Sequence, residues 1–217
     1  MNQLFGLLLL FTLVACNPKS SSPAPLDSSV TSVSNDVDDY THGSDDVPNE
    51  AYTWNENLDL INFLAADELK VQEAADLLKK VIASKEFKDA VINHTYNGQK
   101  TFVDNGGLTN LQVYNTILAG SEKLSPARNN ALDVEIELYS EDTNTIGYTY
   151  PTSPRIWMNT KYFNQYTPFE VCDNLMHEWL HKLGFGHSAT YNAARPYSVP
   201  YAIGYLVESL SHNFKLP

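Results

Sequence analysis

Apolar residues recur in this chain at two different spacings, and each spacing predicts a different kind of element. Intervals of three and four residues predict an amphipathic helix over about Asp67 to Ala83 and a carboxy-terminal helix that begins near Val199. The apolar positions of these two stripes are Val71, Ala74, Leu78, Val81 and Ile82, and then Val199, Ala202, Ile203, Leu206, Val207 and Leu210. A further helix is expected from Thr109, where Thr109 and Gln112 form a capping box and Gly120 offers a stop.

A period of two predicts strands in the second half of the chain. The apolar residues Leu132, Val134, Ile136 and Leu138 alternate with the acidic residues Asp133, Glu135 and Glu137. We interpret these acids as a solvated sheet face and not as a cation site, because such alternation is typical of a sheet with one wet face. Ile146–Tyr150 and Ile156–Asn159 are two further strand candidates, joined by a turn. The pattern predicts an α+β fold with a small sheet.

A helix is also predicted to begin at Thr167, because Thr167, Pro168 and Glu170 supply an N-cap, a first-turn proline and the acid of a capping box. His177 and His181 lie four residues apart on it and therefore project from one face. Both imidazoles can then reach a single metal ion at about 2.0–2.1 Å. Cys172 also falls on this helix and is expected to be a small buried thiol, not a ligand or a nucleophile.

The run from 177 to 187 reads HEWLHKLGFGH and completes a candidate metal site. Gly184 can adopt a positive φ, which would end the helix and allow His187 to supply a third nitrogen. Three protein ligands leave one position for water, and Glu178 points off the ligand face, where it can accept the proton of that water. The spacing therefore predicts a catalytic Zn²⁺ site for amide hydrolysis. Incidental surface histidines are the alternative, but three of the chain's six histidines fall in these eleven residues.

The eleven residues match H-E-x-x-H-x-x-G-x-x-H, so the segment resembles the metzincin clan of zinc endopeptidases. The resemblance implies a zincin-like domain with a small twisted sheet, an active-site helix and a carboxy-terminal helix. It also implies an extended peptide or protein substrate that pairs with an exposed strand. Ile156–Asn159 is the candidate for that strand, because it immediately precedes the active-site helix.

The chain departs from the metzincins after the third histidine. Metzincins place a methionine beneath the metal there, whereas no methionine follows His187 in this sequence. Val199 or Pro200 is the candidate for the apolar floor. By the same resemblance, Tyr201 is a candidate for hydrogen bonding to the oxyanion formed during catalysis, and the alternative is a tyrosine that packs at a helix start.

The amino terminus has the pattern of an export signal. The apolar stretch from Leu4 to Ala15 is too short for a membrane span, which needs about 20 residues. It ends in Leu13-Val14-Ala15-Cys16, which resembles the lipobox of bacterial lipoproteins. We therefore expect a signal peptide over 1–15, a lipid on Cys16, and anchoring to a membrane of the bacterial cell envelope. Ordinary secretion with a free Cys16 is the alternative.

Composition changes abruptly after the signal. Residues 16–50 are rich in Ser, Pro and Asp and cannot bury enough apolar surface to fold, so we expect a flexible acidic linker. Aromatic content rises afterwards, and the catalytic domain is expected over 51–217. The 26 acidic side chains exceed the 14 Lys and Arg, giving a net charge of −12 that opposes binding to nucleic acid or to anionic lipid.

Three functions are compatible with these observations. The leading hypothesis is a zinc endopeptidase in which His177, His181 and His187 hold the metal and Glu178 is the general base. A second hypothesis keeps this chemistry but directs it to cell-wall peptides or amides. A third hypothesis is a zinc-stabilised binding module without activity. The presence of Glu178 makes this hypothesis less favourable, because a structural zinc site needs no general base.

Overall fold

The structure is a computed structural model, and it describes residues 55–216 together with the backbone of Val14–Ala15. The predicted lipidation residue Cys16 and the predicted linker lie outside the described residues, as does the signal peptide apart from those two positions. Over the described range the chain has an α+β fold in which a mixed, open sheet carries helices on one face.

The sheet contains β1 (Val14–Ala15), β2 (Asn55–Ile61), β3 (Ala131–Tyr139), β4 (Gly147–Thr149) and β5 (Arg155–Asn159), in the order β1-β4-β5-β3-β2. Strands β2, β3 and β5 run parallel, and β4 is antiparallel to β5. The two residues of β1 pair antiparallel with β4. In the register of the parallel strands, Ile136 lies opposite Leu60 on one side and Ile156 on the other.

The helices are α1 (Ala65–Ile82), α2 (Lys85–Ile92), α3 (Asn110–Ala119), α4 (Thr160–Phe163), α5 (Pro168–Leu183) and α6 (Val199–Ser211), with a 3₁₀ turn at Arg195–Tyr197 before α6. Helix α5 packs against both α1 and α6, so it lies at the centre of the helical layer. Within the described residues, no helix combines the length and apolarity needed to cross a bilayer.

The core lies between the helical layer and one face of the sheet. Leu132, Val134, Ile136 and Leu138 of β3 are buried, whereas the alternating acids Asp133, Glu135 and Glu137 are partly exposed. The side chain of Arg155 pairs with Glu135 and Glu137 across the open face. The expectation of a solvated acidic face is therefore confirmed. The positive charge of Arg155 on the neighbouring strand offsets the repulsion among the acidic side chains.

Most predicted helix boundaries agree with the structure. The first helix spans Ala65–Ile82, against a prediction of 67–83. Thr109 forms the expected capping box, and Gly120 ends α3 in the left-handed conformation. The strand Asn55–Ile61 was not predicted, because its mixture of Asn, Glu, Asp and Leu gives only a weak alternation.

One prediction about the sheet is wrong. Ile156–Asn159 was expected to be an exposed strand that could receive a peptide, but β5 lies between β3 and β4 and is paired on both sides. The chain returns from β4 through a turn and inserts β5 beside β3, which leaves β4 on the outer side. Position next to helix α5 along the chain does not reveal this order, because strand order depends on long-range pairing.

Gly120 gives a test of this packing. Its φ is +59°, and a Cβ added there would lie 2.3 Å from the backbone oxygen of Ala131 and 2.6 Å from its nitrogen. We expect Gly120→Ala to lower the free energy of unfolding by about 2–4 kcal/mol, because left-handed strain and a clash with backbone atoms add together. Urea unfolding monitored by circular dichroism measures the loss.

Gly106→Ala is the matched control, because Gly106 has a similar φ of +65° but has no atom within 4 Å of the added Cβ. That variant should lose only the backbone contribution of about 1–2 kcal/mol. Equal losses in the two variants would show that the approach of α3 to β3 at Gly120 is looser than described.

Candidate metal centre

Helix α5 presents the first two histidines because both of its ends are fixed. At the start, the backbone N–H of Thr167 donates to the Glu170 carboxylate at 2.9 Å, as the capping box predicted. At the end, Gly184 adopts a φ of 101° and stops the helix. The chain then turns back, so that His187 approaches from outside the helix.

The three histidines converge as the spacing predicted. Their candidate ligand nitrogens all lie within 4.8 Å of one another, and His177 Nε2 lies 3.2 Å from His187 Nε2. Two nitrogens bound at about 2.0–2.1 Å to one tetrahedral ion would be about 3.3–3.4 Å apart, so this pair is already close to ligand spacing. His181 completes the group, with its ring centroid 5.1 Å from that of His177 and 4.9 Å from that of His187.

Backbone carbonyls select the tautomer of two of the rings. His181 Nδ1 lies 2.8 Å from the carbonyl oxygen of Phe185, and His187 Nδ1 lies 3.0 Å from that of Ser188. A carbonyl only accepts hydrogen bonds, so both Nδ1 atoms carry the proton and both Nε2 atoms keep a lone pair. The Nε2 of His181 is buried and has no hydrogen-bond partner in the described part of the chain. A bound metal ion would provide a partner for this nitrogen.

Burial keeps the imidazoles neutral. It lowers the pKa of His181 to about 3, holds the pKa of His177 well below its ordinary value, and also lowers the pKa of His187. A neutral imidazole is the form that binds a metal. The three residues are therefore in the ligating state at neutral pH.

Glu178 is fully buried on the face of α5 that lies under strand β4. Residues at intervals of four share a helix face, and this face carries Asn174, Glu178 and Lys182. Asn174 Oδ1 would lie 3.1 Å from a Cβ added at Gly147 in β4, so this strand crosses directly over the helix. Glu178 is therefore next to the histidine face and beneath β4.

Lys182 connects helix α5 to the turn between β4 and β5 through hydrogen bonds. Lys182 as a whole is only 5% exposed, and its ammonium group donates to the carbonyl oxygens of Tyr150, Ser153 and Arg155. Burial lowers the pKa of Lys182 to about 8, against the opposing effect of Glu178, so the ammonium form predominates at neutral pH. This contact was not predicted, because nothing in the local sequence pattern marks a lysine that folds inward.

Tyr201 lies against the three histidines of the candidate metal centre. Its ring centroid is 4.5 Å from that of His177 and 4.7 Å from that of His187. The guanidinium carbon of Arg195, a residue only 4% exposed, lies 4.7 Å from the Tyr201 ring centroid. Tyr201 was a candidate from the sequence, whereas Arg195 was not, because the burial of Arg195 depends on how the chain folds back after the third histidine.

The loop before α3 approaches the site from another side. Val103 N–H donates to the Tyr197 carbonyl at 2.8 Å, and Val199 N–H donates to the Val103 carbonyl at 3.3 Å. This pairing brings Asp104 near the metal centre, where its charge opposes the lowering of the pKa of His187. Asp104 also has a positive φ of 53°, which is uncommon for a residue other than glycine.

Two other residues of α5 have structural positions. Cys172 is fully buried in the core, which confirms the expectation of a small buried thiol, and burial raises the pKa of this thiol. Trp179 is also fully buried, and its indole N–H donates to the Glu122 carboxylate at 2.7 Å. Glu122 in turn accepts from the backbone N–H of Asp133, so it links α5 to β3.

Comparison with known proteins adds no family to these observations. No protein-family model matches this chain, and no curated protein matches it in sequence. The likeness to metzincins therefore consists of the eleven-residue motif and the convergence of its three histidines within an α+β fold.

Lys182 provides a test of how the sheet is held over the helix. We expect Lys182→Met to lower the free energy of unfolding by about 2–4 kcal/mol, because three carbonyls lose a charged donor in a buried place. Lys80→Met, which alters an exposed lysine on α1, should change it by less than about 0.5 kcal/mol. Urea unfolding of the two variants makes the comparison, and similar small effects would show that the buried ammonium does not hold the turn.

Proposed function

We propose that the protein is a metzincin-like zinc endopeptidase. The observation that carries the proposal is the convergence of His177, His181 and His187, with two of the rings oriented by backbone carbonyls so that their Nε2 atoms face the centre. Three nitrogen donors without a thiolate are a ligand set that suits catalytic zinc. The fold supports the assignment, because the motif helix lies under a mixed sheet and packs against a carboxy-terminal helix.

Each residue has a defined part in this mechanism. Zinc, when bound, supplies a Lewis acid that activates water and polarises the scissile carbonyl. Glu178, buried beside the ligands, accepts a proton from the attacking water and passes it to the leaving amine. The Tyr201 hydroxyl donates a hydrogen bond to the developing oxyanion, so Tyr201→Phe should lower turnover without lowering zinc content.

The substrate strand of the proposal is β4 and not β5. Strand β4 lies on the outer side of β5 and crosses over the helix face that carries Glu178. An extended peptide paired with β4 would place its carbonyls beside that carboxylate. Removal of the predicted signal peptide would take away Val14–Ala15, which pair with β4, and leave this strand available.

The ligand set also bears on the alternative of an inactive, zinc-stabilised module. Structural zinc sites are normally closed by four protein ligands, whereas three residues form the candidate group among the described residues. Glu178 adds a buried carboxylate that follows the first ligand directly, and a purely structural site has no need of a general base. Both features favour a catalytic centre.

Glu178→Gln tests the proposal. The variant keeps the shape of the side chain but cannot accept a proton, so cleavage of an unfolded protein substrate such as reduced casein should fall by at least about 100-fold. Zinc content should remain near that of the wild type, because the three ligands are untouched. A chelator should abolish the wild-type activity, and added Zn²⁺ should restore it.

Glu86→Gln, which alters an exposed acid on α2, is the matched control and should cleave at the wild-type rate. Circular dichroism confirms that the Glu178 variant is folded before the rates are compared. If the Glu178 variant cleaves as fast as the control does, Glu178 is not the general base and the proposed mechanism is wrong.

A further inference from the structure

We infer that Tyr201 and Arg195 together form the floor of the metal centre. In this arrangement the Tyr201 ring holds the imidazoles of His177 and His187 in their ligating orientation, and the Arg195 guanidinium holds the Tyr201 ring. Both are positioning residues in this role. The inference rests on the metal site of the proposed function, but it does not depend on peptidase activity.

The Tyr201 ring touches ligands from two different parts of the chain. His177 belongs to helix α5, and its ring meets that of Tyr201 at 78° in an edge-on contact. His187 belongs to the segment after the helix, and its ring is inclined at 50° to that of Tyr201. One aromatic ring on α6 therefore fixes the relative positions of two ligands that no common helix connects.

Arg195 covers the Tyr201 ring. A guanidinium at 4.7 Å from the ring centroid is within the range of a cation–π contact, and the burial of Arg195 shields this contact from water. The backbone N–H of Arg195 donates to the Asn192 side chain at 2.9 Å, and the Ser198 hydroxyl donates to the Arg195 carbonyl at 2.8 Å. The residue that holds the ring is thus itself held at its backbone.

This floor stands where the sequence lacks a methionine. Val199 and Pro200 were the candidates for the apolar floor, and both are buried at the start of α6. Tyr201 follows them directly in the chain, and its ring lies against those of His177 and His187. Residues that orient metal ligands by hydrogen bonds usually change metal affinity by about 10-fold to 100-fold when they are removed, and we expect an effect of this size from a ring that orients two ligands.

The test is metal affinity, measured by competition with a chelator for Zn²⁺ and by the visible absorption of the Co²⁺-substituted protein. Tyr201→Leu removes the ring and should weaken Zn²⁺ binding by about 10-fold to 100-fold and alter the Co²⁺ spectrum. Tyr201→Phe keeps the ring and should retain wild-type affinity to within about 3-fold. Arg195→Met should weaken binding, and Arg195→Lys should recover part of the loss because it restores the charge.

Tyr191→Leu is the matched control, since this tyrosine follows the third histidine closely but is 70% exposed. It should leave both affinity and spectrum unchanged. Wild-type affinity and spectrum in Tyr201→Leu would overturn the inference. If Tyr201→Leu fails to fold, Arg195→Met provides the test. Wild-type Zn²⁺ affinity in Arg195→Met would then overturn the inference.

These outcomes are separable from those of the proposed function. If the wild-type protein binds Zn²⁺ and the variants weaken as expected but no substrate is cleaved, the peptidase proposal fails and the floor remains. If the wild-type protein binds neither Zn²⁺ nor Co²⁺, the metal site and the floor are both wrong.

Discussion

The convergence of three imidazole nitrogens is the constraint on which the rest of this structure depends. It requires a helix that holds His177 and His181 on one face and a sharp end at Gly184 that brings His187 back. Burial of the group keeps the imidazole rings neutral. The backbone carbonyls of Phe185 and Ser188 accept hydrogen bonds from the Nδ1 atoms of His181 and His187 and so fix the orientation of these two rings. The Nε2 of His181 is buried and has no hydrogen-bond partner among the described residues, which costs stability, and a bound cation would offset that cost.

The surroundings of α5 follow from the same constraint. The buried bond between Trp179 and Glu122 and the contacts of Lys182 with the β4–β5 turn fix the helix against two parts of the sheet. On its other side, α6 carries Tyr201 against the ligands. A metal site requires positions accurate to a fraction of an ångström, and these contacts provide it from three directions.

The local parts of the site were predictable from the sequence, whereas the contacts across the fold were not. The ligand spacing, the capping box at Thr167 and the stop at Gly184 depend on residues within a few positions of one another, and all three are present. The contacts of Arg195 with Tyr201, of Glu122 with Trp179 and of Lys182 with the β4–β5 turn depend on tertiary packing, so no periodicity marks them. The order of β4 and β5 was likewise misjudged, because strand pairing is decided by distant segments.

The zinc content and zinc coordination of the purified protein, measured by elemental analysis and X-ray absorption at the zinc edge, test the three-histidine site most directly. We expect one zinc per chain, bound to three imidazole nitrogens at about 2.0–2.1 Å with a further light-atom ligand. A protein purified without chelator that holds no stoichiometric zinc and takes up none, or a zinc ion bound by fewer than three imidazoles, would contradict it.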